Sequence, residues 1–372
     1  MMALAERKVK ELFARADIKI NGTRPWDIQV HNPALYSRVL AASSLGLGEA
    51  YMDGWWDCKA LDQFFFHITR VNLGAHVTPS VKLALEVLKA KVLNLQSKSR
   101  AFIVGEKHYD IGNDLYAAML DKRLTYTCGY WKNAKTLDAA QEAKLDLVCR
   151  KLRLKPGQRV LDIGCGWGSF AKYAAEKYKV HVTGITISKE QMKLARKLCV
   201  GLPVDIILQD YRDVQGEFDH IVSLGMFEHV GPKNYRTYME VAHRCLKDDG
   251  LFLLHTIGSS TPAPKSEPWM DKYIFPGGVL PSPGEISRAV EWLFTIEDWH
   301  NFGAYYDKTL LAWFSNFNKH WPELKKNYDE RFYRMWKYYL LSCAGGFRSR
   351  YNQLWQIVLS KNGVVGGYQS VR

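Results

Sequence analysis

The chain has 372 residues, 47% of them hydrophobic and 24% charged, with a formal net charge of +13. That length allows about two domains and a core large enough to fold without disulfides or a structural metal. The seven cysteines include no Cys-x-x-Cys pair, which argues against a disulfide framework or a zinc ribbon and fits a reducing cytosol.

The surplus of positive charge suits a polyanion, either nucleic acid or the phosphate face of a membrane, and it equally suits plain solubility. The N-terminal MMALAERKVKELF lacks an apolar stretch of signal-peptide length, so export is not expected. No apolar run reaches the roughly 18 residues that a membrane span requires.

Residues 1–80 read as a small α+β domain. An amphipathic helix (Val9, Leu12, Phe13, Ala16) opens it and a short strand, Asp27–Val30, follows. Leu45–Trp56 is rich in glycine and aromatics and is expected to be a packed turn carrying interfacial aromatics. Residues 81–104 form a linker. Within it, 81–100 has apolar residues at helical spacing and five basic residues against Glu86. It reads either as a helix joining two domains or as a basic amphipathic helix lying on anionic lipid.

Residues 105–372 form the larger domain. From about 157 onward, strands and helices alternate. Strands are expected at Arg159–Ile163, Val180–Ile185, Val204–Leu208, Phe218–Leu224 and Leu251–Thr256, with further strands near 293–296 and 354–359. Such βα repeats predict a mostly parallel, doubly wound sheet with helices on both faces. The proline-rich stretch 258–284 interrupts the rhythm, and its Trp269, Met270, Tyr273, Ile274 and Phe275 are expected to line something apolar, as a lid or binding loop does.

A glycine loop joins the first of these strands to its helix: Asp162-Ile163-Gly164-Cys165-Gly166-Trp167-Gly168. A dinucleotide fingerprint would place its third small residue at 169, whereas here the glycines fall at every second position. The spacing resembles the first motif of seven-stranded, Rossmann-like S-adenosylmethionine-dependent methyltransferases. Asp162 at the strand end suits the cofactor's amine. The second strand ends without the usual acid for the ribose, so Gln191 of Thr186-x-Ser188-x-x-Gln191 is the candidate there. Asp210, Tyr211 and Arg212 after the third strand suit adenine, or form an ordinary polar loop.

Cys128, Glu228, His255, Tyr306 and Cys343 sit near strand ends or loop starts, where open α/β sheets bind ligands. Taken one at a time, each cysteine reads more simply as a small buried residue and each histidine as a structural one. No two of them share metal-ligand spacing on one element.

Together these motifs resemble the cyclopropane-fatty-acyl-phospholipid synthases and the related mycolic acid cyclopropane synthases. The resemblance runs through Leu45–Trp56, His108–Asp114, Tyr126–Trp131, the glycine loop, Thr186–Gln191, Gly225–Gly231, His255–Gly258, Glu297–Gly303 and Cys343–Phe347. It implies methyl transfer from S-adenosylmethionine to a cis double bond in an acyl chain of an intact phospholipid. Loss of a proton from the resulting carbocation then closes a three-membered ring. In this family a bound bicarbonate is held to be the base. The resemblance places it at Cys128, Glu228, His255, Tyr306 and the backbone of Ile257, with Cys343 also assigned to the active site and Tyr126 and Thr127 to the cofactor. Tyr305, Trp299 or Phe227 would face the cation. It also implies a homodimer, cytoplasmic and peripheral to the inner face of the cytoplasmic membrane, docked by positive charge, Trp55, Trp56 and 81–100. A nucleic-acid partner is not expected, because the Pro-Cys and Pro-Pro motifs of base methyltransferases are missing. The rival reading is methylation of a lipid head group or a small molecule.

Overall fold

The computed structural model describes residues 2–76, 112–263 and 265–372. The basic segment 81–100 and the His108–Ile111 part of the 108–114 motif lie outside the described residues.

Two compact units interleave along the chain, whereas the sequence reading cuts it into consecutive blocks at 80 and 105. One unit gathers 2–76, 265–276 and 304–352, and the other gathers 112–263, 277–303 and 353–372.

The larger unit holds a seven-stranded sheet. Its strands, numbered β1 to β7 along the chain, are Arg159–Ile163, His181–Thr186, Val204–Leu208, Phe218–Leu224, Leu246–Ser259, Thr295–Asn301 and Asn352–Ser360. The order across the sheet is β3-β2-β1-β4-β5-β7-β6. The pairs β1–β2, β1–β4, β2–β3 and β4–β5 are parallel, while β6–β7 is antiparallel. Both faces are covered: Leu161 and Ile163 of β1 pack into one apolar cluster, and Val160, just before them, packs into the other. That is why the strands read as continuous apolar runs. The order reverses beside β1, with β2 on one side and β4 on the other. A doubly wound sheet opens its ligand crevice at such a point, outside the carboxyl ends of the strands.

Among the described residues, six α-helices accompany the sheet, α1 to α6: Asn113–Met119, Leu137–Lys151, Ser169–Tyr178, Lys189–Leu198, Tyr235–Cys245 and Pro283–Val290. Side-chain caps define several starts. Thr136 accepts the Ala139 N–H before α2, and Ser282 forms a reciprocal capping box with Glu285 before α6.

In the other unit, strands Ile28–Val30 and Trp56–Cys58 pair antiparallel, and helices 34–52, 61–70, 304–324 and 330–348 pack around them. Two expectations are corrected here. Leu45–Met52 is not a turn but the second half of the helix Ala34–Met52, and Trp56 begins a strand. Gly46 and Gly48 serve close packing: a Cβ at Gly46 would strike the Arg38 carbonyl, and one at Gly48 would strike the Trp269 ring. Trp56 is wholly buried between Tyr51 and Phe64 and donates its indole N–H to the Leu47 carbonyl at 3.0 Å. It therefore cannot insert into lipid. Trp55 is half-buried, with the Arg38 guanidinium 4.7 Å from its ring centre. Trp269, expected in a lid, is also core: it is buried against Tyr338, and its N–H meets the Met52 sulfur.

Among the described residues no helix is long and apolar enough to cross a membrane, and no group of three or more His, Cys, Asp or Glu side chains could hold a metal ion.

Candidate active site

The glycine loop leaves β1 at its carboxyl end. The Gly164 and Cys165 N–H groups both donate to the Ile185 carbonyl of β2 at 3.0 Å, which folds the loop across the crevice mouth. Gly164 has φ +84°, and a Cβ there would lie 2.7 Å from the Met226 side chain, so both conformation and space require glycine. At Gly166, φ is +55° and a Cβ would meet nothing within 4 Å, so the loop backbone faces open space of the kind a cofactor fills. Asp162 stands just before the loop. It is buried, its Oδ2 has no hydrogen-bond partner among the described residues, and burial pushes its pKa up to about 7 against the pull of Lys144. An orphaned carboxylate oxygen beside an open glycine loop fits the ammonium group of S-adenosylmethionine.

Thr186, Ser188 and Gln191 form one network at the start of α4. Ser188 Oγ accepts the Gln191 N–H at 3.2 Å, and Thr186 Oγ1 donates to Gln191 Oε1 at 2.9 Å. This orients the Gln191 amide. Beyond β3, Asp210 is engaged by Arg212, accepting from its N–H at 3.0 Å and its guanidinium at 3.2 Å. Tyr211 is buried in the apolar cluster against Tyr238, 5.0 Å between ring centres. These contacts fix the Asp210 carboxylate and the Tyr211 ring beyond the end of β3.

Three segments meet beyond β4 and β5. Leu224 pairs with His255, and the Gly225 N–H donates to the His255 carbonyl at 2.9 Å. A Cβ at Gly225 would lie 2.8 Å from the Thr127 methyl, which brings the 125–128 segment to the same place. Glu228 is buried and accepts the Ile257 N–H on Oε1 at 2.6 Å, so that backbone donor is already in use. Its Oε2 has no partner among the described residues, and burial raises its pKa to about 7. His255 is fully buried and neutral, its pKa pushed well below the usual range by burial, with Lys144 and Lys151 adding to the shift. Gln356 Nε2 lies 3.3 Å from His255 Nδ1; with that amide donating, the ring proton sits on Nε2, which has no partner among the described residues. Cys128 is buried as well, its Sγ 3.3 Å from the Gly129 carbonyl. These segments thus present a carboxyl oxygen and an imidazole N–H, both buried and without a partner among the described residues.

The family model for mycolic acid cyclopropane synthetase matches residues 96–357. The chain is 56% identical over 366 residues to the cyclopropane-fatty-acyl-phospholipid synthase of Escherichia coli strain K12, covering 98% of this chain and 96% of that one. The chain belongs to the mycolic acid cyclopropane synthetase family. Among solved structures, the cyclopropane synthase MmaA2 from Mycobacterium tuberculosis aligns with a TM-score of 0.66 and 32% identity, over 70% of this chain and 98% of its own. The mycolic acid cyclopropane synthase CmaA1, solved with SAH and CTAB, gives 0.65 and 32% over the same shares. As a member of this family the chain is an enzyme of the S-adenosylmethionine-dependent methyltransferase class, and the doubly wound fold read from its sequence is the fold it has.

Tyr306 and Cys343 belong to the other compact unit. Tyr306 is buried and stacks on Phe347, 4.4 Å between ring centres. Burial pushes the Cys343 thiol up to about 12, so it is not a thiolate nucleophile at neutral pH. Cys343→Ser is expected to keep kcat within about threefold of the parent, measured as methyl transfer, because a neutral thiol offers little that a hydroxyl does not. A loss of a hundredfold or more in a folded variant would assign the thiol a chemical role. Of the aromatics expected near a cation, Phe227 stacks on Tyr235 at 4.4 Å within the core, and Trp299 packs edge-on to Trp355.

The sequence reading missed α2. On this helix Gln141 and Lys144 are fully buried beside Ala140, Leu145 and Val148. Polar residues three apart on an apolar helical face are the signal that would have found them. It also missed the aromatic group over the glycine loop. Trp167 is buried, donates to Asn113 Oδ1 at 3.2 Å, and lies 4.7 Å from Tyr116 and 6.5 Å from Tyr126 between ring centres.

Proposed function

We propose that this enzyme transfers the methyl group of S-adenosylmethionine to the cis double bond of an unsaturated acyl chain in a membrane phospholipid and closes a cyclopropane ring, with bound bicarbonate as the base. The observation that carries the reading is the two buried atoms without a hydrogen-bond partner among the described residues, Glu228 Oε2 just after β4 and His255 Nε2 in the last third of β5. A small planar anion satisfies both. Glu228 is half-protonated near pH 7 and so can donate a hydrogen bond to an anion, and neutral His255 donates through Nε2. Cys128, buried on the neighbouring 125–128 segment, is a further proposed holder, while the Ile257 N–H serves by fixing the Glu228 carboxyl.

When bound, S-adenosylmethionine supplies an electrophilic methyl group on a sulfonium. One carbon–sulfur bond breaks, two carbon–carbon bonds form, and one proton leaves the transferred carbon. An alkene is a poor nucleophile, so the residues around it must supply positioning. The cation that follows is a strong acid, and a weak base suffices if water is kept away. Burial of Cys128, Glu228 and His255 supports such a dry site. In this reading Asp162 holds the cofactor ammonium, Gly164, Gly166 and Gly168 seat its amino-acid portion, and Gln191, fixed by Thr186 and Ser188, hydrogen-bonds the ribose.

The decisive experiment incubates the enzyme with vesicles of unsaturated phospholipid and methyl-labelled cofactor, followed by mass spectrometry of the acyl chains. Gain of one labelled methylene with loss of the alkene is expected. Label on the head group would overturn the reading.

The enzyme is further proposed to dock as a homodimer on the anionic inner face of the cytoplasmic membrane through its net charge of +13. Sedimentation with anionic vesicles is expected to weaken steeply as salt rises from about 0.05 to 0.5 M, because the Debye length shrinks from above 10 Å to about 4 Å. Binding that ignores salt would remove charge as the docking force.

A further inference from the structure

Lys144 is an ammonium group with no route to water. It is fully buried on α2, and its Nζ donates to Thr127 Oγ1 at 2.8 Å. One turn earlier, Gln141 Nε2 donates to the Thr127 carbonyl at 2.7 Å and to the Thr125 carbonyl at 3.3 Å. The same segment is fastened at its start, where the Thr125 N–H donates to Asp121 Oδ1 at 2.8 Å. The inner edge of α2 therefore clamps 125–128, the segment that carries Tyr126, Thr127 and Cys128 to the mouth of the crevice.

A buried cation is costly to maintain, and a structural helix face would use a leucine. The charges around it account for its presence. Asp121, Cys128 and Asp162 lie within its electrostatic reach and draw on its positive charge, and His255 feels it as repulsion. Asp162 is the member of this set with an orphaned oxygen. Its other titratable neighbours, Cys165, Cys199 and Tyr238, are held neutral by burial, so Lys144 is the one charged group acting on it among the described residues.

We propose that Lys144 is a positioning residue for cofactor capture: its buried ammonium fixes the 125–128 segment through Thr127 and serves as the countercharge of Asp162 until the cofactor's ammonium arrives. The proposal rests on the placement of the cofactor at Asp162 given above. Lys144 does not touch the reacting atoms. It acts through Thr127 and Asp162, and its influence falls first on cofactor binding.

The sign of the effect follows from the charges. Burial raises the Asp162 pKa to about 7, and Lys144 opposes that rise. Protonated Asp162 has lost the charge that attracts the ammonium and accepts from it far more weakly, so affinity falls as pH drops through the Asp162 titration. Removing the Lys144 charge raises the Asp162 pKa further and moves this acid limb to higher pH. Lys144 itself titrates at about 8, lowered by burial, so the wild-type countercharge is in place on the acid side.

The test is calorimetric binding of S-adenosylhomocysteine to the full chain at a series of pH values, for wild type, Lys144→Met, Lys144→Gln and Asp162→Asn. Lys144→Gln keeps a donor for Thr127 without the charge, and so stands in should Lys144→Met not fold. For both Lys144 variants the acid limb is expected to move up by about one pH unit or more, with affinity at pH 7 reduced roughly five- to tenfold. The loss of affinity should exceed any loss of turnover at saturating cofactor, which separates binding from chemistry. Asp162→Asn should abolish the limb. A wild-type limb that stays in place in both Lys144 variants would overturn the role of Lys144 and leave the cofactor placement standing. A wild-type profile with no acid limb, or one untouched by Asp162→Asn, would overturn the placement and the inference together. Should neither Lys144 variant fold, Gln141→Leu, which leaves the charge and cuts the backbone tie, decides the clamp: it should weaken affinity without moving the limb, and unchanged affinity would overturn it.

Discussion

Glu228→Gln is expected to lower kcat by a factor of about 10²–10⁴ while S-adenosylhomocysteine affinity stays within about threefold. The amide has the shape of the carboxyl and can still accept the Ile257 N–H that Glu228 Oε1 receives at 2.6 Å. What it loses is the ability to release and take up a proton at Oε2, the buried atom without a protein partner among the described residues; the amide nitrogen there can donate a hydrogen bond but cannot titrate. Single-turnover methyl transfer on phospholipid vesicles, beside calorimetric binding, separates the two effects. A rate near that of the parent would remove Glu228 from the chemistry.

Stability supplies an independent control on the same variant. Burial raises the folded-state pKa of Glu228 to about 7, above its value in the unfolded chain. Between the ordinary carboxylate range and pH 7 the folded state therefore holds a proton that the unfolded state has released. Stability falls as pH rises across that window. Glu228→Gln removes this slope and should be more stable than the parent above pH 7, on the order of 1–3 kcal/mol, as read by urea unfolding at several pH values. A variant that is both inactive and unstable at pH 8 would show that structure, not a proton, was lost.

Trp56→Ala is expected to cost about 3–5 kcal/mol of stability and to leave the salt dependence of vesicle binding unchanged below the unfolding transition. The indole is fully buried, lies 5.0 Å from Tyr51 and 5.1 Å from Phe64 between ring centres, and satisfies the Leu47 carbonyl. Truncation opens a cavity and removes the indole's hydrogen bond to that carbonyl. Trp55→Ala, one residue away and half-buried under Arg38, should cost about 1 kcal/mol or less. Chemical unfolding of the two variants makes the comparison. A Trp56 variant as stable as the parent but unable to bind vesicles would restore this residue to the membrane surface.

The two tryptophans show where a sequence stops informing. Adjacent aromatics in a glycine-rich run look interfacial, but which of them faces inward depends on the strand Trp56–Cys58 and on the helix that precedes it. Gly46 and Gly48 look like turn residues until their neighbours are known. The Trp269 ring against Gly48 comes from more than two hundred residues away.

The sequence by itself determined the doubly wound sheet, because apolar strands covered on both faces and the intervening amphipathic helices leave a local imprint. It also determined the glycine loop, since the D-x-G-x-G-x-G spacing sets backbone conformations one residue at a time: Gly164, Gly166 and Gly168 all have positive φ. It named Glu228 and His255 as candidates because they stand at the ends of β4 and β5. Only the tertiary structure decided that the Ile257 N–H is already taken by Glu228, that 304–352 packs with the N-terminal helices, and that a lysine on α2 lies buried beside Thr127. Periodicity says which face of an element is apolar. It does not say which element covers that face, so charges and carbonyls that meet across distant parts of the chain become visible only in the fold.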